Sequence, residues 1–178
     1  MSKIKTWTDE DTVSKLDGNE RYTPSKYIMA ARKVMGHINL DPASCAVANL
    51  VVKADEYYDK TNDGLGKDWH GRVWLNPPFT GNLGEWIYKL VEEYKSGRVT
   101  QAIVLYPAVG GVFSTGWLHL LLQYPMCIPF RRICYYRQEN MPTEGHPPFS
   151  SLFTYLGPNG PDFIKVFGRY GDIVQKVR

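Results

Sequence analysis

Asn76, Pro77, Pro78 and Phe79 place an amide, two stiff carbonyls and an aromatic ring directly after the strand-like run of residues 72–75. Pro77 has its φ locked near about −65° and disfavours helix at Asn76, and Pro78 does the same to Pro77, so the tetrapeptide is extended before any ligand arrives. The two prolines remove two N–H donors. What is left is dominated by acceptors, the Asn76 side-chain oxygen and the Pro77 carbonyl, beside the flat apolar surface of Phe79. Such a group suits a planar amino group carried on a ring. An isolated Pro-Pro is ordinary loop punctuation, but here a strand precedes it and an amphipathic helix follows it, with Leu83, Trp86, Ile87, Leu90, Val91 and Tyr94 at helical spacing and Gly97 as a stop.

Acidic and basic residues elsewhere fall at positions where ligands are met. Asp41 closes a short strand expected over residues 38–41 and halted by Pro42; a carboxylate at such a tip can accept from a hydroxyl or an ammonium, although Asp-Pro alone is more often a turn. Residues 50–53 read as a second short strand with Asp55 after it, and Asp63, Gly64 and Leu65 as a turn. Tyr22, Thr23 and Pro24 look like a helix start, Thr23 as N-cap and Pro24 as the first helical residue, with Gly36 as terminator. Arg131, Arg132 and Arg137 are interleaved with Tyr135 and Tyr136, a mixture able to pair phosphates and stack on bases, or equally to form a solvated edge strand.

The elements that must hold these residues alternate between strand and helix as far as residue 124, with a buried strand over 101–106 and a helix over 112–124. Residues 126–130, 133–137 and 149–156 then read as strands without intervening helices, and Phe163, Val166, Phe167 and Tyr170 as a last short helix. The pattern predicts an α/β fold whose parallel sheet ends in an antiparallel pair. Only about thirty residues separate Asp41 from Arg72, too few for a full doubly wound half, so that side of the sheet is trimmed.

At 178 residues and 43% hydrophobic, the chain can bury one core, which predicts a single domain over residues 21–178 behind a polar, aperiodic and flexible arm over residues 1–20. No apolar run approaches a membrane span and the polar start lacks a signal-peptide block, so a cytoplasmic protein with no membrane partner is expected. Cys45, Cys127 and Cys134 show no C-x-x-C and do not cluster with the histidines, which predicts buried thiols rather than disulfides or a metal site. A net charge of +3 and a pI near 8.7 permit contact with a polyanion. The composition does not set an oligomeric state.

Tyr22-Thr23-Pro24, Asp41-Pro42-Ala43-Ser44, Asp63-Gly64-Leu65, Trp69 and Trp74-Leu75-Asn76-Pro77-Pro78-Phe79 follow one another in this order. Over roughly residues 20–156 the chain thereby resembles the phage-type DNA N-6-adenine methyltransferases, the small Dam family. The resemblance implies a Rossmann-like S-adenosylmethionine-dependent methyltransferase sheet with an antiparallel terminal hairpin, and transfer of a methyl group to the exocyclic nitrogen of adenine in DNA, flipped or single-stranded. It implies that Asn76, Pro77, Pro78 and Phe79 form the catalytic loop and that Asp41, Pro42 and Ala43 lie at the methionine end of S-adenosylmethionine, with Asn76 close by. Asp63 and Leu65 would lie near its adenine and Asp55 on its ribose, while Tyr22, Thr23 and Pro24 close over the donor's carboxylate side. DNA would meet Phe79, Arg131, Arg132, Tyr135 and Arg137. The glycine-rich first motif of the wider superfamily is absent, its place taken by residues 41–45. An RNA base, a protein glutamine amide or non-catalytic DNA binding are the alternatives. With no separate recognition domain, base reading falls to short loops such as residues 131–145, and low sequence specificity is one expectation.

Overall fold

The computed structural model describes residues 21–79, 81–108, 115–138, 141–142 and 149–176. The chain enters helix α1 (Ser25–Met35), strand β1 (Leu40–Asp41), helix α2 (Ala46–Val52) and strand β2 (Glu56–Tyr57). A single 3-10 turn (Gly64–Gly66) precedes β3 (Gly71–Leu75), α3 (Leu83–Lys95), β4 (Val99–Ala108), α4 (Gly116–Leu121) and β5 (Met126–Pro129). After a small hairpin, β6 (Tyr136–Gln138) and β7 (Met141–Pro142), come β8 (Ser150–Leu156), α5 (Gly160–Phe167) and β9 (Gly171–Val174).

Seven strands form one sheet in the order β2-β1-β3-β4-β8-β5-β9. The β2, β1, β3 and β4 ladders are parallel; β8 runs antiparallel to both β4 and β5, and β9 antiparallel to β5. This is the Rossmann-like mixed α/β sheet with an antiparallel end that the sequence predicts, and its first two strands are only two residues long each, so that side is trimmed as expected. Period-two alternation divides the core between the two faces. Trp74, Ile103, Leu105, Phe153 and Tyr155 meet α1 and α5 on one face, while Val73, Leu75, Ala102, Val104 and Tyr106 meet α3 and α4 on the other.

Three local expectations fail for identifiable reasons. Residues 50–52 belong to a helix and Lys53 is its left-handed C-cap, because Cys45 caps α2 through its sulfur, which accepts from the Ala48 N–H, and the Asn49 side chain ties down both the N–H and the carbonyl of Ala54 just past the helix end. Residues 133–137 do not pair with β5. Tyr136 instead exchanges two backbone hydrogen bonds with Tyr22, at 2.8 and 3.0 Å, and the strand beside β5 is β8. The final edge strand β9 was not foreseen at all. Pro24, rather than Thr23, occupies the N-cap of α1, without a side-chain cap. The helix foreseen over 112–124 is described from Gly116, residues 112–114 lying outside the described set, as does the arm over residues 1–20.

The short β1 is held from outside by a close approach of loops. A Cβ on Gly64 would fall 1.9 Å from the Pro42 carbonyl oxygen, and that turn is further tied by the Trp69 indole N–H donating to the Gly64 carbonyl at 2.7 Å. Gly64→Ala must push the Asp41–Ser44 loop away, at a cost of about 1–3 kcal/mol. Thermal denaturation should register this as a drop of several degrees, about 2–4 °C per kcal/mol for a chain of this size; an unchanged midpoint would show that the two loops do not meet as described.

Candidate active site

The β3 strand delivers Asn76 at the end of the sheet where the parallel strands point their C-termini. Asn76 Nδ2 donates to the Arg21 carbonyl at 3.1 Å, which fixes which way the amide faces. Its Oδ1 is buried and has no partner. Pro77 is buried and Pro78 exposed. Phe79 is half-buried, its ring held edge-on by Tyr135 (centroids 5.7 Å apart) and by Phe149 (5.5 Å). The Arg21 guanidinium lies over the same Phe149 ring, 5.3 Å from its centroid.

This loop forms one wall of a cavity of about 730 Å³, within the ordinary size range of small-ligand sites. The other walls come from Arg21 to Thr23, from Asp41–Ser44 after β1, from Tyr58 to Lys60 with Asp63 and Gly64 after β2, and from the inner face of α2. Four buried side-chain polar atoms among the described residues lack a hydrogen-bond partner: Thr23 Oγ1, Ser44 Oγ, Asn76 Oδ1 and Trp86 Nε1. All four residues line this cavity. Buried polar atoms without partners are costly, so their collection around one hollow calls for a polar ligand.

Asp41 is the strongest electrostatic feature of the wall. It is 2% exposed, and burial pushes its carboxyl from an ordinary 3.8 up to about 7, against the opposing pull of the Ser44 hydroxyl and the Ala43 N–H. The Ala43 contact is long, 3.4 Å, and the Ser44 hydroxyl acts through proximity, since it makes no bond of good geometry. A cation brought against Asp41 would reverse the balance and restore the carboxylate.

The cavity gathers most of the residues singled out in the sequence and leaves some aside. Tyr22, Thr23, Asp41, Pro42, Ala43, Asp63, Asn76, Pro77, Pro78 and Phe79 all line it. Pro24 and Leu65 do not; Leu65 packs against the core beneath α3. Asp55 is also elsewhere. It precedes β2, at the opposite end of the strand from the cavity, where it accepts from Asn39 at 3.0 Å and pairs with His37 at 2.8 Å. The acidic residue that does follow β2 onto the wall is Asp59, whose Oδ1 accepts from the Thr61 N–H and hydroxyl, an arrangement that lowers its pKa. Tyr135 is fully buried and its hydroxyl is bonded to Ser151 at 2.7 Å, so its ring supports Phe79 and is not open to a base. Arg131 and Arg132 are exposed beyond β5, and the Arg137 side chain lies outside the described residues. Ser44, Trp86, Arg21 and Phe149 are wall residues that sequence reasoning missed. Among the described residues no three His, Cys, Asp or Glu side chains are grouped to hold a metal ion, and no helix is long and apolar enough to cross a membrane.

The buried Asp41 gives the ligand-free protein a pH signature. Between pH 3.8 and about 7 the folded carboxyl keeps a proton that the unfolded chain has released, so this group makes stability fall as pH rises through that window. Denaturant unfolding of wild type and Asp41→Asn at pH 5 and pH 8 should show the variant gaining on the wild type at the higher pH, by on the order of a few kcal/mol. Parallel pH profiles would place Asp41 in contact with water.

A comparison with curated proteins returns no match. A sequence model of the DNA N-6-adenine-methyltransferase (Dam) family matches residues 11–140, which span the whole cavity wall except Phe149, and the chain therefore belongs to that family.

Proposed function

We propose that this protein moves the methyl group of S-adenosylmethionine to the exocyclic nitrogen of adenine in DNA, acting on a base turned out of the stack or on single-stranded DNA. The observation that carries this reading is the meeting of four unpaired buried polar atoms on one cavity, Asn76 Oδ1 among them. When bound, S-adenosylmethionine supplies a methyl group on a positively charged sulfur, open to attack by a nitrogen lone pair.

Adenine's amino nitrogen is a weak nucleophile because its lone pair is delocalised into the ring. Asn76 Oδ1 and the Pro77 carbonyl each accept one amino hydrogen, which favours a pyramidal nitrogen and strengthens as positive charge develops there. The Arg21 carbonyl keeps the Asn76 amide from flipping its N–H toward the substrate. Neither acceptor has to take the proton first; it leaves to water after transfer. Phe79 offers the turned-out base an apolar surface, and stacking worth about 1–3 kcal/mol offsets the few kcal/mol needed to expose it.

The remaining wall fits the methyl donor. Asp41 is the acceptor for an ammonium, and the Thr23 and Ser44 hydroxyls and the Trp86 N–H offer further bonds to its polar edge. Asp63 takes the exocyclic amino group of the donor's own adenine. Asp59, rather than Asp55, takes the ribose hydroxyls, because it alone of the two stands on the cavity wall. The exposed Arg131 and Arg132 meet the DNA phosphates.

S-adenosylmethionine should raise the thermal midpoint of the protein, as any ligand of the native state does; a DNA-binding relative without catalysis would be indifferent to it. Incubation with labelled S-adenosylmethionine and DNA should place label in N6-methyladenine, and label in cytosine or in none of the bases defeats the assignment. Asn76→Ala should cut turnover on the order of 10²–10³-fold, the scale of losing one preorganised polar group, and an unaltered rate would remove Asn76 from the mechanism. Asp59→Ala should weaken binding of the methyl donor by about tenfold, the loss of one or two hydrogen bonds to a charged group, whereas Asp55→Ala should leave it unchanged; the opposite order in a titration would return the ribose to Asp55.

A further inference from the structure

The cavity occupies the ends of β1 to β4, and the same end of the sheet continues past it over β8, β5 and β9. There β5 stops at Pro129 and delivers Phe130, which is 64% exposed. The backbone under this ring is pinned. Pro129 is paired with Gly171, the Phe130 N–H donates to the Tyr170 carbonyl at 2.9 Å, and a Cβ on Gly171 would fall 2.0 Å from the Ile128 carbonyl oxygen, so the two strands approach without room between them. Arg131 and Arg132 follow directly, and Arg169 precedes Tyr170 on the opposing segment; all three arginines are exposed. The ridge is tied to the cavity wall, because the Tyr170 hydroxyl donates to the Lys26 carbonyl at 3.4 Å and Ser25, the residue before it, lines the cavity.

A large apolar ring held out in water by a rigid turn, with exposed arginines next to it in the chain and on the paired segment, carries more charge than an interface for an apolar partner. Its charge fits a polyanion, and its ring fits the one apolar surface that a polyanionic duplex offers, the faces of its stacked bases. Adenine inside a duplex has to leave the stack to reach Asn76, and it leaves a gap behind it. We infer that Phe130 is a wedge that enters the duplex beside the target adenine and fills that gap, while Arg131, Arg132 and Arg169 hold the flanking phosphates. The inference rests on the DNA-adenine reading above and adds to it the residue that makes duplex DNA a substrate. Phe130 touches neither the methyl donor nor the reacting nitrogen, so its effect is confined to substrates in which a base must be extruded.

The test compares native and heat-denatured genomic DNA lacking N6-methyladenine, with the initial rate of N6-methyladenine formation as the readout. Phe130→Ala should lower the rate on native DNA by about tenfold or more and leave the rate on denatured DNA within about twofold, and Phe130→Leu, which keeps an apolar wedge, should restore most of the loss. Equal losses on both substrates, no loss on native DNA, or a wild type that methylates denatured DNA alone would each overturn the wedge. So would a dimer in light scattering that Phe130→Ala converts to monomer, since the ridge would then be a contact between copies of the chain. A wild type that methylates neither DNA fails the underlying reading before any variant is compared.

Discussion

The hydrogen bond from Asn76 Nδ2 to the Arg21 carbonyl decides what the loop of residues 76–79 can offer a ligand. An asparagine amide presents a donor on one side and an acceptor on the other, and a substrate amino group can use only the acceptor. By committing the donor to the main chain of a segment 55 residues earlier, the fold leaves Oδ1 as the free end. That commitment depends in turn on where Arg21 lies, which the Tyr22–Tyr136 bridge sets, and on the hairpin that carries Tyr136. The orientation of one side chain thus depends on two further segments remote in sequence, the one that carries Arg21 and Tyr22 and the hairpin that carries Tyr136.

The cavity is unfavourable to stability wherever it is favourable to binding. Four unpaired polar atoms and a carboxyl driven up by burial are tolerated because the surrounding aromatic framework is dense. Phe153, Phe163, Phe167, Tyr27 and Tyr170 contact one another on one face of the sheet, and Trp69 stacks on Trp86 on the other, at 5.9 Å. A ligand that pairs the orphaned atoms converts a local deficit into binding energy without rearranging this framework.

What could be read in the sequence was what local chemistry dictates. The proline pair, the strand before it and the helix after it stand as expected, because apolar spacing and φ restriction act within a few residues; Leu83, Trp86, Ile87, Leu90 and Val91 all face inward. The error at residues 50–53 was more costly. Leu50, Val51 and Val52 have the composition of a strand, and the helix that they form depends on a cysteine cap and on Asn49 closing its far end. Taking them as a strand put the strand end four residues too early, so that Asp55, which lies off the cavity wall, was read as following it, whereas Asp59 is the acid that follows β2 onto that wall. Tyr135 and Tyr136 were likewise indistinguishable by type. Which of two adjacent tyrosines is buried follows from the pairing of Tyr136 with Tyr22, a contact across more than a hundred residues that no local pattern encodes.

The placement of β8 between β4 and β5 has a consequence for how the chain is made. On the ribosome, β5 emerges well before β8, yet it has no neighbour in the nascent sheet until β8 arrives to bridge it to β4. Until then the growing edge is the apolar flank of β4, whose Ile103, Val104, Leu105 and Tyr106 are all buried in the finished molecule. Late closure of this kind exposes an unpaired, adhesive rim for the time needed to synthesise about forty further residues, and it makes the C-terminal strands a requirement for completing a sheet whose cavity is lined almost wholly by its N-terminal half.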